Sequence, residues 1–139
     1  MNVLFLCTGN SCRSQIAEGW ARQLNSDWIQ VQSAGIEAHG QNPRAITVMQ
    51  EVGVDISCQE STILTHDMLL STDYLITVCG HADEHCPELP KGILKEHWPL
   101  FDPAKAAGSE EEIMEIFRES RNDIKQRVKD LFGRLEDKA

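Results

Sequence analysis

A thiol and a guanidinium, separated by five residues, stand in the segment Cys7-Thr8-Gly9-Asn10-Ser11-Cys12-Arg13-Ser14. Backbone N–H groups of such a loop can converge on one tetrahedral oxyanion, and the N-terminus of a following helix adds partial positive charge. Arg13 can hold two oxygens of the same anion with its planar fork of donors. The segment therefore predicts an oxyanion site formed by Thr8 to Ser14, with Cys7 beneath the anion.

The same loop predicts a reactive state for Cys7. A helix N-terminus and a neighbouring arginine both stabilise a thiolate, so we expect the pKa of Cys7 to lie below the ordinary value of about 8.5. Ser14 can donate its hydroxyl to the sulfur, and Asn10 can bind the loop's own backbone. The alternative is a buried structural cysteine followed by a glycine turn, which requires no arginine at this spacing.

Two further thiols, Cys79 and Cys86, lie seven positions apart. Reduction of a bound oxyanion would need two electrons, which a second and a third thiol could supply. If the residues between the two thiols form about two turns of helix, the sulfurs lie ~10 Å apart at 1.5 Å per residue. They could then form a disulfide only after that helix unwinds, and Gly80 offers a hinge.

Other interpretations of these thiols stay open. Cys79 can be a small core residue at the end of a strand. Cys79, His81, His85 and Cys86 also carry atoms that bind zinc, although four ligands within eight residues fit the usual spacing of structural zinc sites poorly. Without zinc, we expect both histidines to be exposed, where they could keep a neighbouring thiol ionised.

Alternating strands and helices must position these side chains. Short apolar runs predict strands at 2–7, 28–34 and 73–79, and a fourth strand that ends at His97-Trp98. Helical spacing predicts helices from Ser14 to about residues 25–27, from Pro43 to Gly53, and onwards from Ser109. The alternation predicts an α/β sandwich around a mostly parallel sheet.

The composition narrows the class of protein. A chain of 139 residues fits one domain, and a net charge of −9 disfavours nucleic-acid and anionic-membrane partners. Five cysteines, an odd number, argue against a framework of structural disulfides and favour reactive thiols. The apolar run from Val3 to Leu6 is too short for a secretion signal or a membrane span, so we expect a cytoplasmic protein.

The sequence resembles the thioredoxin-coupled arsenate reductases built on the low-molecular-weight protein tyrosine phosphatase fold. The resemblance covers nearly the whole chain, in Cys7 to Ser14, Ala17-Glu18-Gly19-Trp20, Ser33-Ala34-Gly35-Ile36-Glu37, His39-Gly40, Asn42-Pro43, Asp55-Ile56-Ser57, Val78-Cys79, Cys86-Pro87 and His97-Trp98. It implies one arsenate reductase domain over residues 1–139. It also implies a three-layer α/β sandwich with a central four-stranded parallel sheet flanked by helices.

The resemblance further implies a relay of thiols. Cys7 attacks arsenate, Cys79 attacks Cys7 with release of arsenite, and Cys86 attacks Cys79 to leave a Cys79–Cys86 disulfide that thioredoxin reduces. Asp102, before Pro103, matches the aspartate that acts as a general acid in this fold. We expect the protein to be a monomer, with arsenate as substrate and phosphate or sulfate as competing oxyanions.

Three further sets of positions can be compared with the family: the residue after Asp-Pro, the remaining cysteines and the potassium ligands. Tyrosine phosphatases of this fold carry an aromatic residue after Asp-Pro, where this chain has Ala104, which disfavours phosphotyrosine as the substrate but leaves a phosphatase as the alternative function. Cys12 and Cys58 are expected to be inessential, although Cys12 could form a side disulfide with Cys7. Positions that hold potassium in some members are matched by Asn10, Glu18 and Ser33, while Thr62 replaces an expected aspartate.

Overall fold

Four parallel strands form the centre of the molecule. The computed structural model describes residues 1–25 and 28–137. Its strands are β1 (Asn2–Cys7), β2 (Gln30–Gly35), β3 (Tyr74–Thr77) and β4 (Leu94–His97), in the order β2-β1-β3-β4. Every neighbouring pair is parallel. The four-stranded parallel sheet expected from the sequence is therefore confirmed.

Helices flank this sheet and make up the rest of the α/β sandwich. They are α1 (Arg13–Leu24), α2 (Pro43–Gln50), α3 (His66–Leu70), α4 (Gly80–Glu84) and α5 (Glu110–Asp137), with a short 3₁₀ turn at Pro103–Lys105. No helix within the described part of the chain has both the length and the apolar character needed to cross a bilayer.

The sheet brings three loops to one edge. β1 is central, with β2 and β3 on its two sides, and Val3 to Leu6 are fully buried. In the register of the sheet, Cys7 lies beside Gly35, and Leu6 lies beside Thr77, which in turn pairs with His97. The carboxyl ends of parallel strands share one edge, so the loops that follow β1, β3 and β4 meet there. Crevices at this edge are where open α/β sheets bind ligands.

The long helix α5 supports α1, the helix that follows the Cys7 loop. Its buried side is an apolar stripe at helical spacing that includes Phe117, Ile124, Val128 and Leu131. At the contact with α1, the Trp20 indole N–H donates to the Arg121 carbonyl at 3.1 Å. The Lys125 ammonium lies 4.8 Å from the centre of the Trp20 ring. These contacts hold α1, and hence its N-terminal end, against the body of the protein.

Several predicted boundaries need correction. β2 begins at Gln30 rather than residue 28, and α1 ends at Leu24, while residues 26 and 27 of its predicted end lie outside the described part. β3 ends at Thr77, so Cys79 does not end a strand but precedes α4. The short helix α3 was not predicted, because five residues are too few to show a helical period.

Candidate active site

The predicted Cys7 loop lines a cavity of about 730 Å³ at the carboxyl edge of the sheet. The other walls come from the start of α4 and from the loop after β4, including Cys79, His81 and Asp102. Three stretches distant in sequence therefore meet at one opening. The structure brings together the residues predicted to bind an oxyanion, the second thiol and the predicted general acid.

The loop carbonyls face away from the cavity. Those of Cys7, Thr8, Gly9 and Ser11 accept hydrogen bonds of 2.8–3.1 Å from backbone N–H groups of the segment 36–42. In a trans peptide the carbonyl and the next N–H point in opposite directions, so the loop N–H groups turn to the other side. A nest of donors for an oxyanion needs N–H groups turned in this way.

Asn10 fixes the shape of the loop from within. It is fully buried and has a positive φ of 47°, a conformation that asparagine tolerates better than most residues. Its amide N–H groups donate to the hydroxyls of Ser14 at 2.8 Å and Ser33 at 2.9 Å, and its amide oxygen accepts from the Thr62 N–H at 2.8 Å. Contrary to the prediction, Asn10 therefore does not bind the loop's own backbone but joins the loop to Ser33 and to the backbone of Thr62. Gly35 completes the fit, because a Cβ there would come within 2.8 Å of the Thr8 carbonyl.

Arg13 is buried, and both terminal nitrogens of its guanidinium face oxygen atoms of the loop after β4. One of its terminal nitrogens donates to the Leu100 carbonyl at 3.1 Å, and the other lies 3.5 Å from an Asp102 carboxylate oxygen. Its Nε atom is buried and has no hydrogen-bond partner among the described residues. An unpaired buried donor on a charged group is costly, and an oxyanion in the cavity would satisfy it.

The charge state of Cys7 differs from the expectation. A hydrogen bond to Cys79 and burial both raise the pKa of Cys7 above its ordinary value, outweighing the charge of Arg13 and the backbone N–H of Thr8. The predicted low pKa of Cys7 is therefore wrong for this arrangement. The two thiols titrate as a pair, in which Cys7 holds its proton more tightly than Cys79. Ser14, predicted to donate to this sulfur, instead has its hydroxyl beside Asn10.

The negative charge is stabilised on Cys79. Its sulfur caps α4 by accepting from the Ala82 N–H at 3.3 Å, and it lies 3.2 Å from the Thr8 hydroxyl. The Cys7 thiol, Thr8, Ala82 and Arg13 together lower the pKa of Cys79 to about 5, against the opposing effect of burial. Cys79 is therefore a buried residue of the core whose sulfur also has polar contacts with Thr8 and Ala82.

Cys86 stands apart from these two thiols. It follows His85, the residue directly after α4, and it is half-buried. Burial raises its pKa. His81 and His85 are both exposed, as expected, and their rings lie 4.3 Å apart. In the described part of the chain, no three His, Cys, Asp or Glu side chains are grouped to hold a metal ion.

Asp102 lies at the rim of the cavity. One carboxylate oxygen accepts from the Ala104 N–H at 3.0 Å, and the other faces Arg13. Phe101 stands next to it with 64% of its surface exposed, and it too lines the cavity. The sequence analysis missed Phe101, although an aromatic residue directly before Asp102 was a visible signal. Burial and, secondly, the Asp102 carboxylate raise the pKa of Cys12 to about 12, so Cys12 favours the neutral thiol.

The candidate potassium residues do come together. Ser33 donates to a Glu18 carboxylate oxygen at 2.5 Å, and Asn10 donates to Ser33. The other Glu18 oxygen accepts from Arg22 at 2.8 Å, so a guanidinium already supplies positive charge there. Cys58 is exposed and lies beside this group, in a separate depression of the surface.

Comparison with known proteins defines the class. A model of the low molecular weight phosphotyrosine protein phosphatase family matches residues 2–139, and the chain belongs to this family. It is 52% identical over 128 residues to the arsenate reductase of Bacillus subtilis (strain 168), covering 92% of each chain. It is also 52% identical over 127 residues to the arsenate reductase of Bacillus licheniformis, covering 91% of each chain.

Solved structures agree with this assignment. An arsenate reductase in the phosphate binding state is 36% identical, with a TM-score of 0.79 over 96% of this chain and 97% of that one. A thioredoxin-dependent arsenate reductase of Corynebacterium glutamicum is 30% identical, with a TM-score of 0.77 over 99% of this chain and 63% of that one. The YwlE arginine phosphatase of Geobacillus stearothermophilus, at 22% identity and a TM-score of 0.82, shares the fold.

Proposed function

We propose that this chain reduces arsenate to arsenite through Cys7, Cys79 and Cys86, and that thioredoxin returns it to the reduced state. The observation that carries the proposal is that Cys7 and Cys79 line the same cavity, with the Cys79 sulfur 3.2 Å from the hydroxyl of Thr8, the residue after Cys7. Hydrolysis of a phosphoester does not need a second ionised thiol in that position. The arsenate reductases that the chain resembles over nearly its full length support the same assignment.

The first step binds and activates arsenate. The loop N–H groups from Thr8 to Ser14 and the Nε atom of Arg13 hold the oxyanion, and Cys7 attacks arsenic as its proton passes to an arsenate oxygen. Asp102 acts as the general acid that helps one oxygen leave as water. The product is a covalent bond between the Cys7 sulfur and arsenic, still in its oxidised state.

The next two steps move electrons and then the disulfide. The Cys79 thiolate attacks the Cys7 sulfur to form a Cys7–Cys79 disulfide, and the sulfur–arsenic bond breaks with its electron pair on arsenic, which leaves as arsenite. Cys86 then attacks Cys79, and Cys7 leaves as a thiol or thiolate. Two electrons from a thioredoxin dithiol finally reduce the Cys79–Cys86 disulfide. The C. glutamicum relative is likewise a thioredoxin-dependent arsenate reductase.

Arsenite release, coupled to thioredoxin and its reductase, tests the proposal. Cys7→Ser, Cys79→Ser and Cys86→Ser variants should each lose catalytic turnover. Cys58→Ser provides the matched control, because Cys58 is an exposed thiol outside the cavity, and it should keep full activity. Undiminished turnover with both Cys79 and Cys86 replaced would contradict the relay.

A phosphatase of the same family is the second candidate. The exposed ring of Phe101 at the cavity rim could lie against an aryl phosphate, despite Ala104 at the position after Asp-Pro. Hydrolysis of a chromogenic aryl phosphate would then need Cys7 and Arg13 but not Cys86. An enzyme that hydrolyses this ester efficiently, and releases no arsenite with thioredoxin present, would establish the second candidate instead.

We further propose that the enzyme is a cytoplasmic monomer that needs no nucleic acid or membrane, since thiol-based catalysis requires a reducing compartment. Sedimentation of the reduced protein tests whether it is a monomer.

Potassium binding by Asn10, Glu18 and Ser33 stays a prediction. Because Arg22 pairs with Glu18, we expect exchange of potassium for sodium to change the melting temperature little.

A further inference from the structure

The two relay thiols lie at opposite ends of α4. Cys79 caps its first turn through the Ala82 N–H, and Cys86 follows His85 at its last turn. A five-residue helix is about 7.5 Å long at 1.5 Å per residue, whereas two bonded sulfurs are about 2 Å apart. The proposed Cys79–Cys86 disulfide therefore requires α4 to unwind, and whatever stabilises α4 opposes the transfer.

One side chain ties α4 to the sheet by polar contacts. An Asp83 carboxylate oxygen lies 2.6 Å from the Lys95 ammonium on β4, and the same oxygen is 3.4 Å from the Thr77 hydroxyl on β3. Thr77 is itself fixed by the His97 ring at 2.7 Å. Among the described residues, this is the ion pair that joins α4 to another element.

Little else holds the helix in place. Ala82 is fully buried, but Gly80, His81, Glu84 and His85 are all exposed. A single turn of helix has almost no intrinsic stability in water, so its contacts with the sheet decide whether it persists. Asp83 and Ala82 supply those contacts, and only Asp83 supplies them through a charge.

We infer that Asp83 and Lys95 are positioning residues of the thiol relay, whose ion pair stabilises α4 in the reduced chain and must break when the disulfide moves to Cys79–Cys86. The inference rests on the proposed function. In that step, a bond forms between the Cys86 and Cys79 sulfurs, the Cys7–Cys79 bond breaks, and Cys7 takes the electron pair. No net oxidation of the protein occurs in this exchange, so the free energy needed to unwind α4 contributes directly to its equilibrium constant.

Lys95 also lies near the attacking thiol. Its positive charge lowers the pKa of Cys86, while Asp83 raises it and burial has the largest effect. When the ion pair breaks, the ammonium is free to stabilise a Cys86 thiolate. The rate of the exchange would therefore depend on Lys95 in two ways, through its ion pair and through its charge near Cys86. The equilibrium between the disulfide and the two thiols measures the ion pair more directly.

The reduction potential of the Cys79–Cys86 disulfide tests the inference. Asp83→Asn keeps the shape and the contact with Thr77 but removes the charge. It destabilises the reduced state alone, so the potential should become more negative. Both partners are about one-third exposed, and pairs of that kind correspond to a two- to fivefold change in the equilibrium constant, or about 10–20 mV for two electrons.

The experiment titrates the full chain in glutathione redox buffers without arsenate and assigns disulfides by peptide mapping. Lys95→Gln should shift the potential in the same direction, and the double variant should shift it no further than one single variant, because both remove one interaction. Asp123→Asn is the matched control, since it breaks the Asp123–Arg127 pair on α5, where Arg127 is 35% exposed like Lys95, and it should leave the potential unchanged.

The outcomes separate the inference from the proposed function. If no Cys79–Cys86 disulfide forms in the unmodified chain, the relay is wrong and the inference falls with it. If the disulfide forms but Asp83→Asn leaves its potential unchanged, or if the two single shifts add fully in the double variant, the relay stands and the inference is overturned.

Discussion

The Thr8→Val variant tests the charge assignment at the centre of the site. The Thr8 hydroxyl lies 3.2 Å from the Cys79 sulfur and is one of three donors to it, with the Cys7 thiol and the Ala82 N–H. Valine has the same shape but no hydroxyl. A hydrogen bond to a charged group contributes about 1.5–3 kcal/mol, and 1.36 kcal/mol corresponds to one pKa unit. Sulfur is a weak acceptor, so we take the lower end and expect the pKa of Cys79 to rise from about 5 to about 6.

Ultraviolet absorbance of the thiolate against pH measures this change directly. The pKa of Cys79 in the folded state lies below its ordinary value of 9.0, so its contribution to stability is full above that value and is lost as the pH falls through about 5. Thr8→Val should move the acid end of this window upwards by about one pH unit. Urea unfolding across the same range should show the loss beginning at a higher pH in the variant.

Matched variants identify which sulfur titrates. Cys79→Ser should abolish the acidic transition, whereas Cys7→Ser should preserve it, because a serine hydroxyl can still donate to Cys79. Thr47→Val is the control, since Thr47 is exposed on α2 and its hydroxyl donates to the Pro43 carbonyl. An acidic transition that survives unchanged in Cys79→Ser, or that Thr8→Val leaves in place, would refute the assignment of the charge to Cys79.

Three further predictions follow from other contacts. Asp102→Asn should lower arsenate turnover by about 100- to 10,000-fold, as expected for loss of a general acid, while a glutathione titration of the disulfide stays unchanged. Asn10→Ala removes three hydrogen bonds and should lower the free energy of unfolding in urea by about 3 kcal/mol, against about 1 kcal/mol for Asn42→Ala, which removes a helix cap. Arg134 lowers the pKa of Glu96, so ionised Glu96 stabilises the folded state fully above pH 4.5. Urea unfolding should therefore find Glu96→Gln less stable than the unmodified chain above pH 4.5, and the difference should disappear as the pH falls through the lowered pKa.

Much of the fold is visible in the sequence because it depends on local patterns. The continuous apolar run of β1 and the glycine-containing loop before α1 predict a buried strand, a turn and a helix in the right order. Alternation of strands with helices then requires parallel pairing, since the crossing helix returns the chain to the same end of the sheet. These signals also predict where Cys7, Arg13 and Asp102 lie, because each stands at the end of an element or in the loop beside it.

The charge state of the site could not be read in the same way. It depends on contacts between residues distant in sequence, such as Thr8 and Cys79, which are 71 positions apart and meet because β1 and β3 are neighbours. The ion pair of Asp83 with Lys95 likewise depends on the pairing of β3 with β4. A low pKa for Cys7 follows from its loop considered alone, and the second thiol reverses it.

The shared proton also gives an order to the proposed reaction. The chain carries a net charge of −9, and an oxyanion must enter a site where a second fixed negative charge would oppose it. With Cys7 protonated and Cys79 ionised, the pair presents one charge rather than two, and that charge sits on the sulfur that acts second. Cys7 becomes a nucleophile when its proton passes to the bound oxyanion, so the sulfur–arsenic bond forms only after the oxyanion has bound. Cys79 is already ionised when the sulfur–arsenic bond exists, so reduction can follow adduct formation without another proton transfer.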